Sequence, residues 1–153
     1  MLNIFRKKPP QFFTAAQQEA IVAAIQKAET STGGEVRIYV ESRCSYVDAV
    51  DRAQEIFTKL KMYETAQRNG VLLYLAMKDR QLAVYADSGI FDKTGKDYWN
   101  SKVKTMIGGF NQNNPVKSIV QVILEIGETL SQAFPYDAAT DKNELPDDIV
   151  YGK

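Results

Sequence analysis

Histidine is absent from this chain of 153 residues, and cysteine occurs once, at Cys44. The first absence removes the commonest general base and the commonest transition-metal ligand. The second leaves no partner for an internal disulfide. Any catalysis falls to carboxylates, lysine, tyrosine, serine or a hard cation. An excess of one charge is also missing, since 19 Lys and Arg residues balance 19 Asp and Glu residues. Neither a phosphate backbone nor an anionic membrane is therefore expected as the main partner, and nucleic acid is set aside. No apolar run is long enough to form a transmembrane segment. In Met1-Leu-Asn-Ile-Phe-Arg-Lys-Lys-Pro-Pro10 the charges follow a short apolar patch, the reverse of a secretory leader. A cytoplasmic protein is expected. Residues 1–11 read as a disordered tail, with weak membrane contact through Ile4 and Phe5 as the lesser alternative.

With 44% hydrophobic residues the chain can bury one substantial core. A single domain over residues 12–136 and an acidic tail over 137–153 follow. Thr14-Ala-Ala-Gln17 is a capping box ahead of Ile21, Ala24, Ile25 and Ala28 on one helical face, with Gly33-Gly34 as the expected stop. From Glu35 to Glu41 apolar Val36, Ile38 and Val40 alternate with polar neighbours, which predicts a strand. Ser45-Tyr-Val-Asp48 reads as a second capping box, before a stripe of Ala49, Ala53, Ile56, Phe57 and Leu60. Trp99, Val103, Met106, Ile107 and Phe110 mark a third helix closed by Gly108-Gly109. A fourth begins at Pro115 and ends at Phe134-Pro135. Four helices around a small mixed β-sheet predict an α/β fold, a three-layer α/β/α sandwich.

The middle of the chain carries the most spatial information. In the stretch from Val71 to Ile90 two apolar β-type runs flank the polar turn Lys78-Asp79-Arg80, a hairpin signal. Folding the chain about Asp79 sets Arg68-Asn69-Gly70 beside Asp87-Ser88-Gly89. If a helical crossover makes the first two strands parallel, Glu35 joins the same edge. A guanidinium, an amide and carboxylates then converge, which makes this edge a candidate ligand site.

Four segments, in order, carry a family resemblance: Ser31-Thr-Gly-Gly-Glu35-Val-Arg, Arg68-Asn-Gly-Val-Leu-Leu-Tyr-Leu, Tyr85-Ala-Asp-Ser-Gly-Ile90 and Phe134-Pro-Tyr-Asp. Together they resemble the TPM domain family, in particular its stand-alone bacterial branch, over roughly residues 12 to 150. The resemblance implies an α/β/α sandwich and, since several members bind divalent cations such as calcium, an ion at this edge. A plant relative is linked to photosystem repair, and an acid phosphatase activity has been ascribed to the family. Most relatives carry a signal peptide or membrane helix, patterns this sequence does not show.

On that footing Glu35, Asn69, Asp87 and Asp92 are the expected metal ligands, with Arg68 as a ligand-binding residue. All are oxygen donors except Arg68, and carbonyls of Gly33 or Gly34 can complete the set. Such a site takes calcium, or magnesium as second choice, over zinc or copper. The competing structural reading has Asp87 and Asn69 satisfying loop amides, Glu35 paired with Arg68 or Arg37, and Asp92 capping a helix. The expected function is a cation-binding module engaging a protein partner, without strong catalysis. The alternative is a metal-dependent acid phosphatase acting on phosphomonoesters. Cysteine phosphatase chemistry does not fit, because the Cys-x5-Arg spacing from Cys44 falls on Val50. Asp92-Lys-Thr-Gly95 matches the phosphorylated aspartate motif of cation-pumping ATPases, but without their length or membrane helices. Tyr39, Tyr74 and Tyr85 read as strand packing residues. The acidic tail, including Asp141, Asn143, Glu144, Asp147 and Asp148, lacks EF-hand spacing.

Overall fold

A computed structural model describes residues 12–139 and 148–152. The expectations for residues 1–11 and for most of the acidic tail lie outside the described residues. In chain order the elements are α1 (Ala15–Glu29), β1 (Glu35–Glu41), α2 (Ala49–Lys59), β2 (Gly70–Ala76), β3 (Gln81–Ala86), α3 (Ser88–Thr94), α4 (Lys96–Asn111), α5 (Pro115–Ala133) and β4 (Val150–Tyr151). The sheet runs β3-β2-β1-β4. β1 is parallel to β2 and β4, while β2 and β3 form the antiparallel hairpin.

The sheet is covered on both faces, so the α/β/α sandwich holds. Val36, Ile38, Val40, Val71, Leu73 and Leu75 share one core with buried residues of α1, α4 and α5. Leu72, Tyr74, Ala76 and Ala83 share a second with Ala49, Ala53, Ile56 and Phe57 of α2. All seven residues of β2 are buried, as a central strand between two helical layers requires. Side chains alternate between the two cores because strand periodicity is two.

Local details depart from the sequence expectations for physical reasons. The capping box at Thr14 forms in full, but α1 stops at Glu29, and Gly33-Gly34 belong to the turn before β1. Asp48, not Ser45, caps α2, accepting from the Val50 amide at 2.9 Å. Gly108-Gly109 do not end α4, which continues to Asn111. Ile107, expected inward, is 41% exposed. Among the described residues there are five helices and four strands. The extra helix is α3, and the extra strand is β4, inside the segment read as an acidic tail.

Candidate functional site

The starting edges of β1 and β2 are fixed by short loops. Ahead of β1, buried Thr32 donates its hydroxyl to the Phe134 carbonyl at 2.6 Å and accepts from the Gly34 amide at 3.0 Å. The Gly33 amide also donates to Phe134, at 2.9 Å, so this turn is tied to the end of α5. Ahead of β2, the Thr65 carbonyl accepts from the Arg68 amide at 3.2 Å and the Thr65 hydroxyl from the Asn69 amide at 3.2 Å. Arg68 takes a left-handed φ of 51° to make that turn. The two turns meet where the Asn69 side-chain amide donates to the Gly33 carbonyl at 3.2 Å.

The strands then align two of the expected residues, Glu35 and Asp87. Glu35 stands opposite Gly70 in the β1–β2 register. The Asp87 amide donates to the Gly70 carbonyl at 2.9 Å. Glu35, Gly70 and Asp87 thus form one row across three strands, and residues in a row share a face. It is the face of α2, since a Cβ on Gly70 would stand 3.1 Å from the Met62 carbonyl oxygen, just beyond that helix. Glu35, Asn69 and Asp87 are all buried, at 3%, 2% and 4% exposure.

Their partners differ. Asp87 accepts from Arg68 Nε at 2.8 Å through Oδ2 and from the Ser88 amide at 2.7 Å through Oδ1, making it the N-cap of α3. That part of the structural reading is realised. Arg68 pairs with Asp87, and the guanidinium is held more firmly protonated by that hydrogen bond and charge. The Asn69 Oδ1 atom is buried and accepts no hydrogen bond among the described residues. Asp92 lies inside α3 with an exposed side chain; it caps neither α3, which Asp87 caps, nor α4, whose N-cap is Gly95.

The TPM domain profile matches residues 7–129. This chain belongs to the TPM domain family. The BA42 protein of the psychrophilic bacterium Bizionia argentinensis, solved by NMR, is 38% identical to it, with a TM-score of 0.85 over 95% of this chain and 99% of that one. The N-terminal domain of the cg2496 protein from Corynebacterium glutamicum shares the fold at 11% identity, with a TM-score of 0.60 over 96% of this chain and 93% of that one. No curated protein matches the sequence.

In this TPM domain the edge offers hard donors of the type a group 2 cation takes: two carboxylates, one amide oxygen lacking a hydrogen-bond donor, and loop carbonyls. The donor chemistry fits. Among the described residues, however, no three Asp, Glu, Cys or His side chains converge. An ion here would depend on Asn69, on backbone carbonyls and on water for most of its coordination.

A second polar cluster of the TPM domain, at the other end of β1, was not anticipated. Glu41 is 4% exposed and receives Arg52 through Nε and a terminal nitrogen, both at 3.0 Å, and the Tyr74 hydroxyl. Arg52 also pairs with Glu55, which accepts from Tyr46. Burial, then the Glu41 hydrogen bond, push the Tyr74 phenol well above the usual tyrosine range. Cys44 lies in the loop after β1, away from the Glu35 end, and its thiol faces the Tyr46 carbonyl at 3.6 Å. The sequence signal was available in principle: β1 places Glu41 on the same alternating face as Glu35, so both ends of that face needed partners.

Proposed function

We propose that this chain is a divalent-cation-binding module, with calcium as the first candidate and magnesium the second, that engages a protein partner. Glu35, Asn69 and Asp87 would hold the ion, with Arg68 adjusting the local charge; the exposed Asp92 of α3 forms no three-carboxylate group with Glu35 and Asp87 and would join only if the titration below moves it. One observation carries the reading: the buried Asn69 Oδ1 lacks a donor among the described residues, one position before the Glu35–Gly70–Asp87 row that holds two buried carboxylates. Leaving a buried amide oxygen unpaired costs about 1–3 kcal/mol, a cost that ligation of a hard cation removes. The reading places the module in the cytoplasm, where the single thiol of Cys44 stays reduced. No helix among the described residues is long and apolar enough to cross a membrane.

The test is a backbone amide NMR titration of the metal-stripped protein, first with calcium chloride and then with magnesium chloride. Saturating shifts centred on Gly34, Glu35, Asn69 and Asp87 support the site, and a smaller shift at Asp92 would enlist α3. If those amides do not move with either ion, the cation reading is wrong and the edge is structural. Hydrolysis of p-nitrophenyl phosphate that disappears in both Glu35→Ala and Asp87→Ala would promote the phosphatase alternative. Hydrolysis surviving both substitutions identifies a contaminant.

A further inference from the structure

Both oxygens of Asp87 are engaged, but their partners are not equally fixed. Oδ1 accepts from the Ser88 amide at 2.7 Å and so caps α3, while Oδ2 accepts from Arg68 Nε at 2.8 Å. The Ser88 amide cannot leave without unwinding the first turn of a helix. The guanidinium can, because the Arg68 side chain is 53% exposed, against 4% for Asp87. The Arg68 backbone, by contrast, is pinned. Its amide donates to the Thr65 carbonyl at 3.2 Å, and a Cβ added to Gly89 would stand 2.5 Å from its carbonyl oxygen, so α3 lies directly on this turn. The part free to move is the side chain, not the turn.

A buried carboxylate needs a counter-charge. The guanidinium supplies it, as a cation tethered one residue before Asn69, whose buried Oδ1 accepts no hydrogen bond among the described residues. A divalent ion cannot be added beside that guanidinium without cost. Ligated to Oδ2 at about 2.4 Å, the ion would stand no more than about 5 Å from Arg68 Nε in its present position, where burial leaves their repulsion weakly screened. Access has the same requirement, since the Asp87 side chain is 4% exposed with its partner in place. A guanidinium that swings outward returns to water, in which its side chain is already half immersed. Entry of an ion at Asp87 and departure of Arg68 are therefore one exchange.

We infer that Arg68 is a tethered competitor that regulates the cation site: its guanidinium neutralises Asp87 until a divalent cation displaces it into solvent. The inference rests on the cation reading and adds to it the residue that sets how tightly the ion is held. The fraction of molecules in which Oδ2 is free of Arg68 scales the apparent affinity, so a persistent pair weakens binding in proportion. Exchange also keeps the fold intact in both states. Oδ1 retains its bond to the Ser88 amide, α3 stays capped, and the turn at Arg68 keeps its contacts with Thr65 and Gly89. What changes is the occupant of Oδ2 and the position of one side chain, which leaves the ion-loaded edge with an unpaired, solvated guanidinium.

The experiment follows the Arg68 Nε–H resonance and the edge amides together by 15N NMR as calcium chloride is added to the metal-stripped full chain. Arg68→Gln identifies that resonance by its loss. In the native chain the Nε–H signal should move to the position of a solvated guanidinium in step with the shifts at Gly34, Glu35, Asn69 and Asp87. Arg68→Gln should bind calcium about tenfold more tightly, the scale of one charge-assisted hydrogen bond that no longer competes. Arg68→Gly is the second neutral variant, because glycine suits the left-handed φ of 51° and leaves the turn relaxed; it should tighten binding to the same degree. Arg68→Lys keeps the charge and should stay closer to the native affinity. Calcium that shifts the edge amides while the Arg68 Nε–H signal stays in place overturns the exchange and leaves the cation reading standing. So does calcium binding that is no tighter in either neutral variant than in the native chain. If the edge amides stay in place in the native chain and in all three variants, with calcium and with magnesium alike, the cation reading itself fails and the exchange falls with it.

Discussion

Arg68 Nε stands 2.8 Å from Asp87 Oδ2, and the two ends of this ion pair have unlike surroundings: the Asp87 side chain is 4% exposed and that of Arg68 53%. Asp87 is anchored twice, by the guanidinium and by its cap on α3. Arg68 is anchored once and is otherwise solvated. Asp87→Ala is therefore expected to cost about 1–2 kcal/mol through the lost cap alone, and Arg68→Ala distinctly less. Urea unfolding of both variants checks the order. Equal losses would mean that the pair, not the cap, dominates.

Glycine substitutions are expected to act with opposite signs at two helical positions. A Cβ at Gly89 in α3 would stand 2.1 Å from the Gln67 carbonyl oxygen and 2.5 Å from that of Arg68, so the backbone must move. Gly89→Ala should destabilise by at least about 2 kcal/mol despite alanine's better helix propensity. A Cβ at Gly108 in α4 meets nothing within 4 Å. Gly108→Ala should stabilise by about 0.5–1 kcal/mol. Thermal melting of the two variants reads both signs directly.

That contrast also explains what the sequence could reveal. The stripes of α1, α2 and α5 were legible because three or more apolar residues repeat at helical spacing. β1 was legible because Val36, Ile38 and Val40 alternate with polar residues. The hairpin followed from two apolar runs around Asp79, and with it the meeting of Arg68 and Asp87. By contrast, α3 buries only Ile90, and one residue makes no periodicity. Gly108-Gly109 reads as a stop because glycine propensity is local, whereas α4 is held by packing against α5, with Gly109 against Ser118. β4 has two residues and exists through pairing with Tyr39 and Val40, more than a hundred positions earlier. Glu41, Arg52 and Tyr74 are likewise brought together only by the β1–β2 register and α2. Asn69 was legible as an edge residue, but its lack of a donor is a property of the packed structure.

Thr32 links the turn before β1 to α5, and its removal tests whether that link presents Glu35. Thr32→Val keeps the shape but strands the Gly34 amide, while the Phe134 carbonyl keeps its bond from the Gly33 amide. A loss of about 1–2 kcal/mol is expected. Amide exchange should accelerate at Gly34 and Glu35 before it does so in β2. Uniform acceleration across the sheet would show that the turn has no local stability of its own.

The Glu41 cluster makes stability depend on alkaline pH. Tyr74 is held protonated in the folded chain by burial and by its bond to Glu41. An unfolded tyrosine ionises near pH 10, by about the ordinary value. Above that point the unfolded chain binds fewer protons than the folded one, so rising pH favours unfolding. The contribution of Tyr74 is complete below about pH 10 and declines as pH rises toward its folded-state value. Tyr39, Tyr98 and Tyr151 are also raised, each chiefly by burial, and act in the same direction. Tyr74→Phe isolates one share: it should be less stable at pH 8, where Glu41 loses one of its three donated hydrogen bonds, yet lose stability less steeply between pH 9 and 11. Urea midpoints across that range decide it. Parallel slopes in the two proteins would mean that Tyr74 ionises at its ordinary value and that Glu41 is neutralised by Arg52 alone.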